Sequence, residues 1–498
     1  MNLATMLDDH PDDHTAVVSG GDRISYGRLR REIAATRGAL ANLGLVEGDR
    51  VAILCGTNAR FVRAWLGIIG NGLVAVPLNP QSPAAEIQRE LGVVGVRAVI
   101  AGPAGVKPLA EIGISELPSL EFVLTPSHQS FEGSTDFDEL VASAEPTPIV
   151  ERADNELAAL LFTSGTAGNP KAAMLTHGNL AANLHQVQNA PIRATRPDDV
   201  TLCVVPLFHV LGLNSILDLA LYSGATVVLV ERFDPVSMLE MVADEYVSVL
   251  VGPPTMWAAL SRVEDPPEAC MAGVRLAVSG AAPIPASVVH DCHDKFGIDI
   301  AEGYGLTEAS PSVSLSAGTG APVGSIGRPI PGLEVRLVDS DGDDVYIGDA
   351  GEILVRGDNV FPGYWEDPDT TARVLDEHGW LHTGDMAVVD DDGYLFIVDR
   401  AKDLIIVSGF NVYPAEVERV LVTHPSVAEA AVVGVPHPHT GEAVKAYVVA
   451  RPGRGVEEED LIGWCATELA RYKCPSKIDE VDELPHGLGG KVLRRQLD

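Results

Sequence analysis

Thr163-Ser164-Gly165-Thr166-Ala167-Gly168-Asn169-Pro170-Lys171 follows directly on the apolar run Leu157-Ala158-Ala159-Leu160-Leu161-Phe162. An apolar run that short, ending in a glycine-rich turn, predicts a buried strand that hands over to a loop. Glycines let backbone N–H groups approach an anion without a Cβ in the way. The hydroxyls and Lys171 are then placed to hold triphosphate oxygens. The stretch is not the loop of P-loop NTPases, which needs Gly-Lys-Ser/Thr in sequence, because Pro170 precedes Lys171 and Ala172 follows it. Taken alone, the same composition also describes a plain surface turn.

Outward from this strand the pattern repeats. Ser25 is placed to cap a helix from Tyr26 to about Leu43, with Leu29, Ile33, Leu40 and Leu43 near helical spacing and Gly44 closing it. Strands are predicted at Val51–Leu54, Val96–Ala101, Leu157–Phe162, Thr201–Val205, Ala225–Val230, Ser248–Val251 and Val274–Ser279, with helical segments between them. That alternation predicts an α/β fold of parallel sheets covered on both faces. From about Ser325 the texture changes to short alternating runs punctuated by Asp341-Gly342 and Gly351, which predicts a small β-rich subdomain over about 325–398. Asp390-Asp391-Asp392-Gly393 reads as a hairpin loop, since no carboxylate follows at the EF-hand spacing. After Asp399 a separate α+β unit is expected: a helix Ala415–Val422, strands Ala428–Val433 and Ala443–Ala450, and a helix Glu457–Tyr472.

Composition narrows the function. With 498 residues, 46% hydrophobic and 21% charged, the chain can bury two or three sizeable cores. No secretory signal or bilayer-length apolar run is visible; the longest candidate, Ala64 to Leu78, is broken by Gly67, Gly70, Asn71 and Gly72. A cytoplasmic protein is therefore expected, touching a membrane surface at most transiently. Six cysteines without a Cys-x-x-Cys pair argue against a zinc site or a disulfide framework. The cluster His290-Asp291-Cys292-His293-Asp294 falls in a predicted helix, whose geometry points those side chains in different directions. A net charge of −35 argues against nucleic acid as a partner. It also means that any anionic ligand must find local cations, and the chain has only eight lysines, Lys171, Lys402 and Lys491 among them.

Five further segments follow the loop in order: Pro206-Leu207-Phe208-His209, Gly303-Tyr304-Gly305-Leu306-Thr307-Glu308, Thr383-Gly384-Asp385, Asp399-Arg400-Ala401-Lys402-Asp403 with Gly409, and Gly490-Lys491. Each is weak singly, but in this order they resemble, nearly end to end, the adenylate-forming enzymes: acyl-CoA synthetases, 4-coumarate-CoA ligases, beetle luciferases and the adenylation domains of peptide synthetases. The resemblance implies a large N-terminal domain (1–398) of two parallel αβ-layered subdomains plus a small β-barrel-like one. A hinge (399–402) and a small mobile lid domain (403–498) would follow. It implies an AMP-forming acyl-CoA synthetase that uses ATP, Mg²⁺ and coenzyme A. An acyl-AMP ligase that loads a separate carrier protein, and a non-catalytic adenylate-binding member, are the alternatives.

Carried over residue by residue, Thr163, Ser164, Gly165, Thr166, Gly168 and Lys171 resemble the β,γ-phosphate loop. Gly303, Tyr304 and Gly305 resemble the adenine-stacking segment. Thr307 would meet the α-phosphate, Glu308 with Thr166 the Mg²⁺ ion, and Asp385 and Arg400 the ribose. Lys491 resembles the lysine that reaches the substrate carboxylate during adenylation, Lys402 the hinge residue, and Gly409 the glycine beside the pantetheine arm. His209, Val210, Leu213, Gly280, Ala281 and Gly305 resemble acyl-pocket walls. The segments around them, Phe208–Leu213, Val251–Met256, Gly280–Ala282 and Gly303–Leu306, are apolar or small apart from His209, and lack the arginine fork that a second carboxylate would want. Arg275 is near one of them. An apolar monocarboxylic acid is expected, a medium- or long-chain fatty acid ahead of an aryl or cinnamate-type acid. Ala167, Ala172 and the approach His486-Gly487-Leu488-Gly489 depart from the family pattern, and Ile406 stands where some relatives carry lysine.

Overall fold

The computed structural model describes residues 1–112, 116–163, 171–192, 194–400, 405–407, 410–412, 414–437, 441–469, 471–486 and 492–497. The chain divides into two compact units. The first comprises Met1–Val323, Pro329–Glu334 and Arg356–Leu381; the second comprises Gly324–Arg328, Val335–Val355 and His382–Asp498.

Two sheets organise the first unit. One runs in the order Ser134–Asp136, Phe122–Thr125, Ala98–Ala101, Arg50–Leu54, Val74–Pro77, Leu157–Thr163, Lys171–Thr176. Its strands pair in parallel except the last two, which form an antiparallel hairpin. The second runs through Ser312–Leu315, Ile300–Gly305, Leu276–Ser279, Val249–Gly252, Val200–Cys203, Thr226–Leu229, Thr15–Ser19 and Asp22–Ser25. It is parallel through its centre and antiparallel at its first and last pairs. Central strands such as Val74–Pro77, Ala98–Ala101 and Val249–Gly252 are buried at every position, which is why their sequences read as unbroken apolar runs rather than as alternation. Each sheet has its own core, one around Leu54, Val76, Val99 and Leu160 and the other around Leu202, Leu250, Trp257 and Ala277.

The predicted helix after Ser25 spans Tyr26–Asn42, and the Ser25 hydroxyl accepts from the Arg28 amide as a cap should. Four predicted strands are shorter than expected: those at Ala225–Val230 and Val274–Ser279 cover only Thr226–Leu229 and Leu276–Ser279, and the other two are cut short by their neighbours. The run at Thr201–Val205 leaves the sheet after Cys203, just ahead of Pro206, and Val96 is taken from the strand at Ala98 by its amide bond to the Leu91 carbonyl, which closes the preceding helix. None of the six cysteines is in a disulfide. No described helix is long and apolar enough to cross a membrane.

A four-stranded sheet, ordered Glu334–Val338, Gly351–Arg356, Leu381–Val389, Leu395–Arg400, lies almost wholly in the second unit. Its last two strands pair antiparallel around the acidic turn 390–394, where the Asp390 carboxylate accepts from the Asp392 and Tyr394 amides: the hairpin loop that the sequence predicts. The rest of the unit is a sheet ordered Phe410–Val412, Ile405–Val407, Gly441–Ala450, Val427–His437, with Lys477–Glu480 parallel to Gly441–Ala450. Helices Pro414–Val422 and Glu458–Glu468 pack on it. The predicted helix over 457–472 ends early, because Leu469 turns to extended backbone and joins the apolar core.

Candidate active site

The hairpin that decides the fold also starts the site. Thr163 and Lys171 are register partners at the open end of the antiparallel pair, so the chain folds back on itself where the glycine-rich loop begins and ends. Positions 164–170 lie outside the described residues, and with them Ser164, Gly165, Thr166 and Gly168. Alongside Lys171–Thr176 runs a segment the sequence reading passed over, Phe361-Pro362-Gly363-Tyr364-Trp365. It is stitched to the strand by the Trp365 amide to the Ala172 carbonyl (2.8 Å), the Met174 amide to the Gly363 carbonyl (3.0 Å) and a bridge between Ala173 and Tyr364. Gly363 takes φ +138°, and a Cβ there would stand 2.5 Å from Thr371 Cγ2, so only glycine fits.

This segment brings Tyr364 between two of the predicted residues. Its hydroxyl donates to Glu308 Oε1 at 2.6 Å, and Lys171 Nζ stands 5.5 Å from the centroid of its ring. Tyr364 is buried, and burial together with the Glu308 carboxylate pushes its phenol pKa far up, so it remains a donor. Glu308 lies in a single helical turn, Thr307–Ala309, at the end of the strand Ile300–Gly305. Its carbonyl accepts from the Phe361 amide, and the Asn359 side chain donates to the Ala309 carbonyl at 2.7 Å. On the strand, Gly303 pairs with Leu315, Tyr304 with Ser314 and Gly305 with Ser312. A side chain at Gly305 would collide with the Pro311 carbonyl. The Gly303–Glu308 segment is thus held from two sides, with Tyr304 and Thr307 partly buried.

His209 and its neighbours lead into an eight-residue π-helix, Leu211–Asp218, a form that recurs at functional sites. His209 itself is exposed, yet the surrounding protein mass lowers its imidazole pKa, favouring the neutral ring. Val210 and Leu213 are buried in the core, whereas partly buried Leu211 approaches the glycine-lined strands: a Cβ on Gly280 would lie 3.6 Å from the Gly303 carbonyl oxygen and 3.8 Å from Leu211 Cδ2. Ala281 follows with φ +71°, a conformation that costs a non-glycine residue strain and occurs where surroundings impose it. Arg275 turns elsewhere. Its guanidinium grips Asp199, with Nε 2.9 Å from Oδ1, and donates to the Ala194 carbonyl at 3.0 Å. Burial raises the Asp199 pKa, but Arg275, the Ser248 hydroxyl and the Arg196 amide together outweigh it and hold the carboxyl below its ordinary value.

In the second unit, Asp385 is buried at the start of the hairpin, in register with Arg400. The turn before it is fixed by its neighbours: the Thr383 hydroxyl donates to the Ile353 carbonyl at 2.8 Å and accepts from the Asp385 amide, and the Gly384 amide donates to Glu352 at 2.9 Å. The side chain of Arg400, and Lys402, Gly409 and Lys491 altogether, lie outside the described residues.

Among the described residues no group of three His, Cys, Asp or Glu side chains converges on a point. Glu308 offers one hard oxygen donor, Oε2, that no described residue hydrogen-bonds, the other being taken by Tyr364. A single carboxylate of this kind suits Mg²⁺, which keeps waters and takes the rest of its shell from substrate phosphates, better than it suits a closed protein cage. The sequence held one signal for Tyr364: an aromatic cluster broken by a lone glycine, with Phe361 meeting the tyrosine ring edge-on at 5.0 Å.

Residues 4–365 match the family model described as AMP-binding enzyme, and residues 416–491 that of the AMP-binding enzyme C-terminal domain. The chain is 36% identical over 485 residues to a feruloyl-CoA synthase from Amycolatopsis sp., an alignment that spans 97% of this chain and 95% of the relative. A long-chain-fatty-acid–CoA ligase from Escherichia coli O157:H7 is 33% identical, over 97% of this chain and 91% of its own. The ATP-bound crystal structure of MatB from Rhodopseudomonas palustris superimposes with a TM-score of 0.92 at 33% identity, covering 100% of this chain and 98% of that one.

Proposed function

Because the chain belongs to the family of AMP-binding enzymes and is an AMP-forming acid–thiol ligase, we propose that it activates an apolar monocarboxylic acid, a medium- or long-chain fatty acid first. One observation carries the choice of acid. The wall formed by Gly280, Gly303 and Leu211 is small and apolar, and Arg275, the cation nearest to it in sequence, is committed to Asp199. A second carboxylate on the substrate would be left unpaired there, and burying an unpaired charge is costly. An aryl-substituted acid is the second reading, favoured by the 36% identity to a feruloyl-CoA synthase.

A carboxylate acylates poorly, because its leaving group would be oxide. In the proposed first step a carboxylate oxygen attacks the α-phosphorus of ATP and pyrophosphate leaves. In the second the thiol of coenzyme A adds to the acyl carbonyl, its proton passes to solvent, and AMP leaves. Both steps demand cations and dipoles set in place beforehand. Thr163, Lys171 and the loop residues Ser164, Gly165, Thr166 and Gly168 would hold the β- and γ-phosphates. Tyr304, between Gly303 and Gly305, would stack on adenine, Thr307 would reach the α-phosphate, and Asp385 and Arg400 would bind the ribose. Glu308, helped by Thr166, would hold Mg²⁺, which supplies charge neutralisation on the phosphates when bound. His209 would close the acyl pocket as a neutral ring, and Lys491, carried by a lid domain (403–498) on the hinge at Lys402, would neutralise the substrate carboxylate in the first step. Gly409 would leave room for the pantetheine arm in the second.

The test is to incubate the protein with ATP, Mg²⁺ and a panel of acids, with and without coenzyme A, and to identify AMP and acyl-CoA by mass spectrometry. Acyl-CoA from octanoate or longer chains is expected, ahead of ferulate and far ahead of dicarboxylates or amino acids. A dicarboxylate or amino acid activated better than the fatty acids would overturn the proposed acid. Acyl-AMP without thioester would shift the acceptor to a carrier protein.

A further inference from the structure

We infer that Tyr364 is a positioning residue that keeps Lys171 and Glu308 apart and aims each at its own part of the nucleotide; the inference rests on the adenylation reading above. Lys171 and Glu308 carry opposite charges and both meet the Tyr364 side chain, yet no ion pair joins them. Instead the Tyr364 hydroxyl occupies Glu308 Oε1 at 2.6 Å, and the Tyr364 ring takes the ammonium at 5.5 Å. A direct lysine–carboxylate pair would neutralise both groups: the ammonium would be withheld from phosphate and the carboxylate from a divalent cation. An aromatic ring avoids this, because its face attracts a cation without supplying a full negative charge. The hydroxyl at its edge meanwhile fixes one carboxylate oxygen and leaves the other free of described donors.

The placement is built into the fold. The backbone of Tyr364 bridges Ala173, two residues beyond Lys171, and its amide donates to Thr371 Oγ1 at 2.9 Å. The next turn upstream is anchored by Asn179, whose amide group donates to the Asp358 carbonyl at 2.8 Å and the Val360 carbonyl at 2.9 Å. Phe361 ties to Glu308 through its own amide at 2.9 Å. One short segment therefore holds the backbone beside Lys171 and the backbone of Glu308 together, and gives both charged groups the same side chain to meet.

The two halves of the role separate by substitution. Tyr364→Phe keeps the ring for Lys171 and removes only the donor to Glu308; Tyr364→Leu removes both. Binding is read without turnover, as Mn²⁺ uptake by the protein–ATP complex in electron paramagnetic resonance and as ATP binding by calorimetry. Tyr364→Phe is expected to raise the Mn²⁺ midpoint about tenfold, the usual loss when the hydrogen bond orienting a ligating carboxylate is removed, with little change in ATP affinity measured at saturating metal. Tyr364→Leu should weaken ATP binding as well. In a Glu308→Gln background the Tyr364→Phe change should add nothing further, since its target is already gone. An unchanged Mn²⁺ midpoint in a folded Tyr364→Phe protein, or full additivity with Glu308→Gln, overturns the inference, because a purely packing role would lower stability without coupling to Glu308. If the parent protein itself takes up neither ATP nor Mn²⁺ with ATP, the adenylation reading fails and this inference with it.

Discussion

Arg275 shows how much a single residue's surroundings decide. By sequence position it stands near a predicted pocket wall and reads as a possible fork for a second substrate carboxylate; its contacts make it half of a structural pair. The Asp199 side chain is only 4% exposed, and it also draws on Ser248 and the Arg196 amide. Removing one partner of a buried pair strands the other's charge, which costs more than the intact pair contributes. Arg275→Ala is therefore expected to lower stability by about 3 kcal/mol, at the mild end of the range because two neutral partners remain. The Asp199→Asn/Arg275→Ala double variant should recover part of the loss. Thermal unfolding checks both, and the acid panel should keep its ranking in whichever variants fold. A stable Arg275→Ala protein with altered acid preference would return this residue to the substrate pocket.

The elements most legible in the sequence were those whose signal is local. The strand Leu157–Thr163, the Ser25-capped helix and the Asp390 hairpin follow from an apolar run, a hydroxyl cap and an acidic Gly turn, and each formed within a residue or two of its expected place. The site was legible where residues share a short segment, as in Gly303–Glu308. It was not where partners come from distant segments: Tyr364 lies 56 residues from Glu308, and nothing in its own neighbourhood names that partner. The π-helix Leu211–Asp218 was equally hidden, since a changed hydrogen-bond register leaves no composition signal. It ends on Asp218, which is fully buried, accepts from Trp65 Nε1 at 2.9 Å through one oxygen, and has no partner among the described residues for the other. Burial pushes this carboxyl up to about 8. An unfolded aspartate titrates near 3.9, so between those values the folded state keeps a proton that the unfolded state has lost. Stability must then fall as pH rises through that window, by about 1.4 kcal/mol per unit until the folded group itself ionises. Asp218→Asn keeps the shape and cannot ionise. Its stability relative to the parent should improve by about 2 kcal/mol between pH 6 and 8, and parallel pH profiles for the two proteins would refute a neutral Asp218.

At the scale of the whole molecule the governing fact is charge. The chain carries 35 Lys and Arg against 70 Asp and Glu, while ATP, the acid and coenzyme A are all anions. Attraction cannot come from the overall field, so each step must depend on the few cations placed at the reacting groups. If Lys491 serves the first step alone, its loss should be confined to that step. Lys491→Ala is expected to slow acyl-AMP formation by about 10²–10³-fold, the scale for deleting one group that stabilises developing charge, while supplied acyl-AMP is still converted to acyl-CoA. Gly409→Trp should do the reverse, forming acyl-AMP normally but transferring it slowly, because a bulky side chain would obstruct the thiol's approach rather than the nucleotide. The two half-reactions are measured separately, by pyrophosphate release and by thioester formation from synthetic acyl-AMP. One site used twice with different residues in command predicts this crossed pattern. Equal loss of both half-reactions in both variants would mean that Lys491 and Gly409 serve a single arrangement of the site, and the division of labour between them would have to be abandoned.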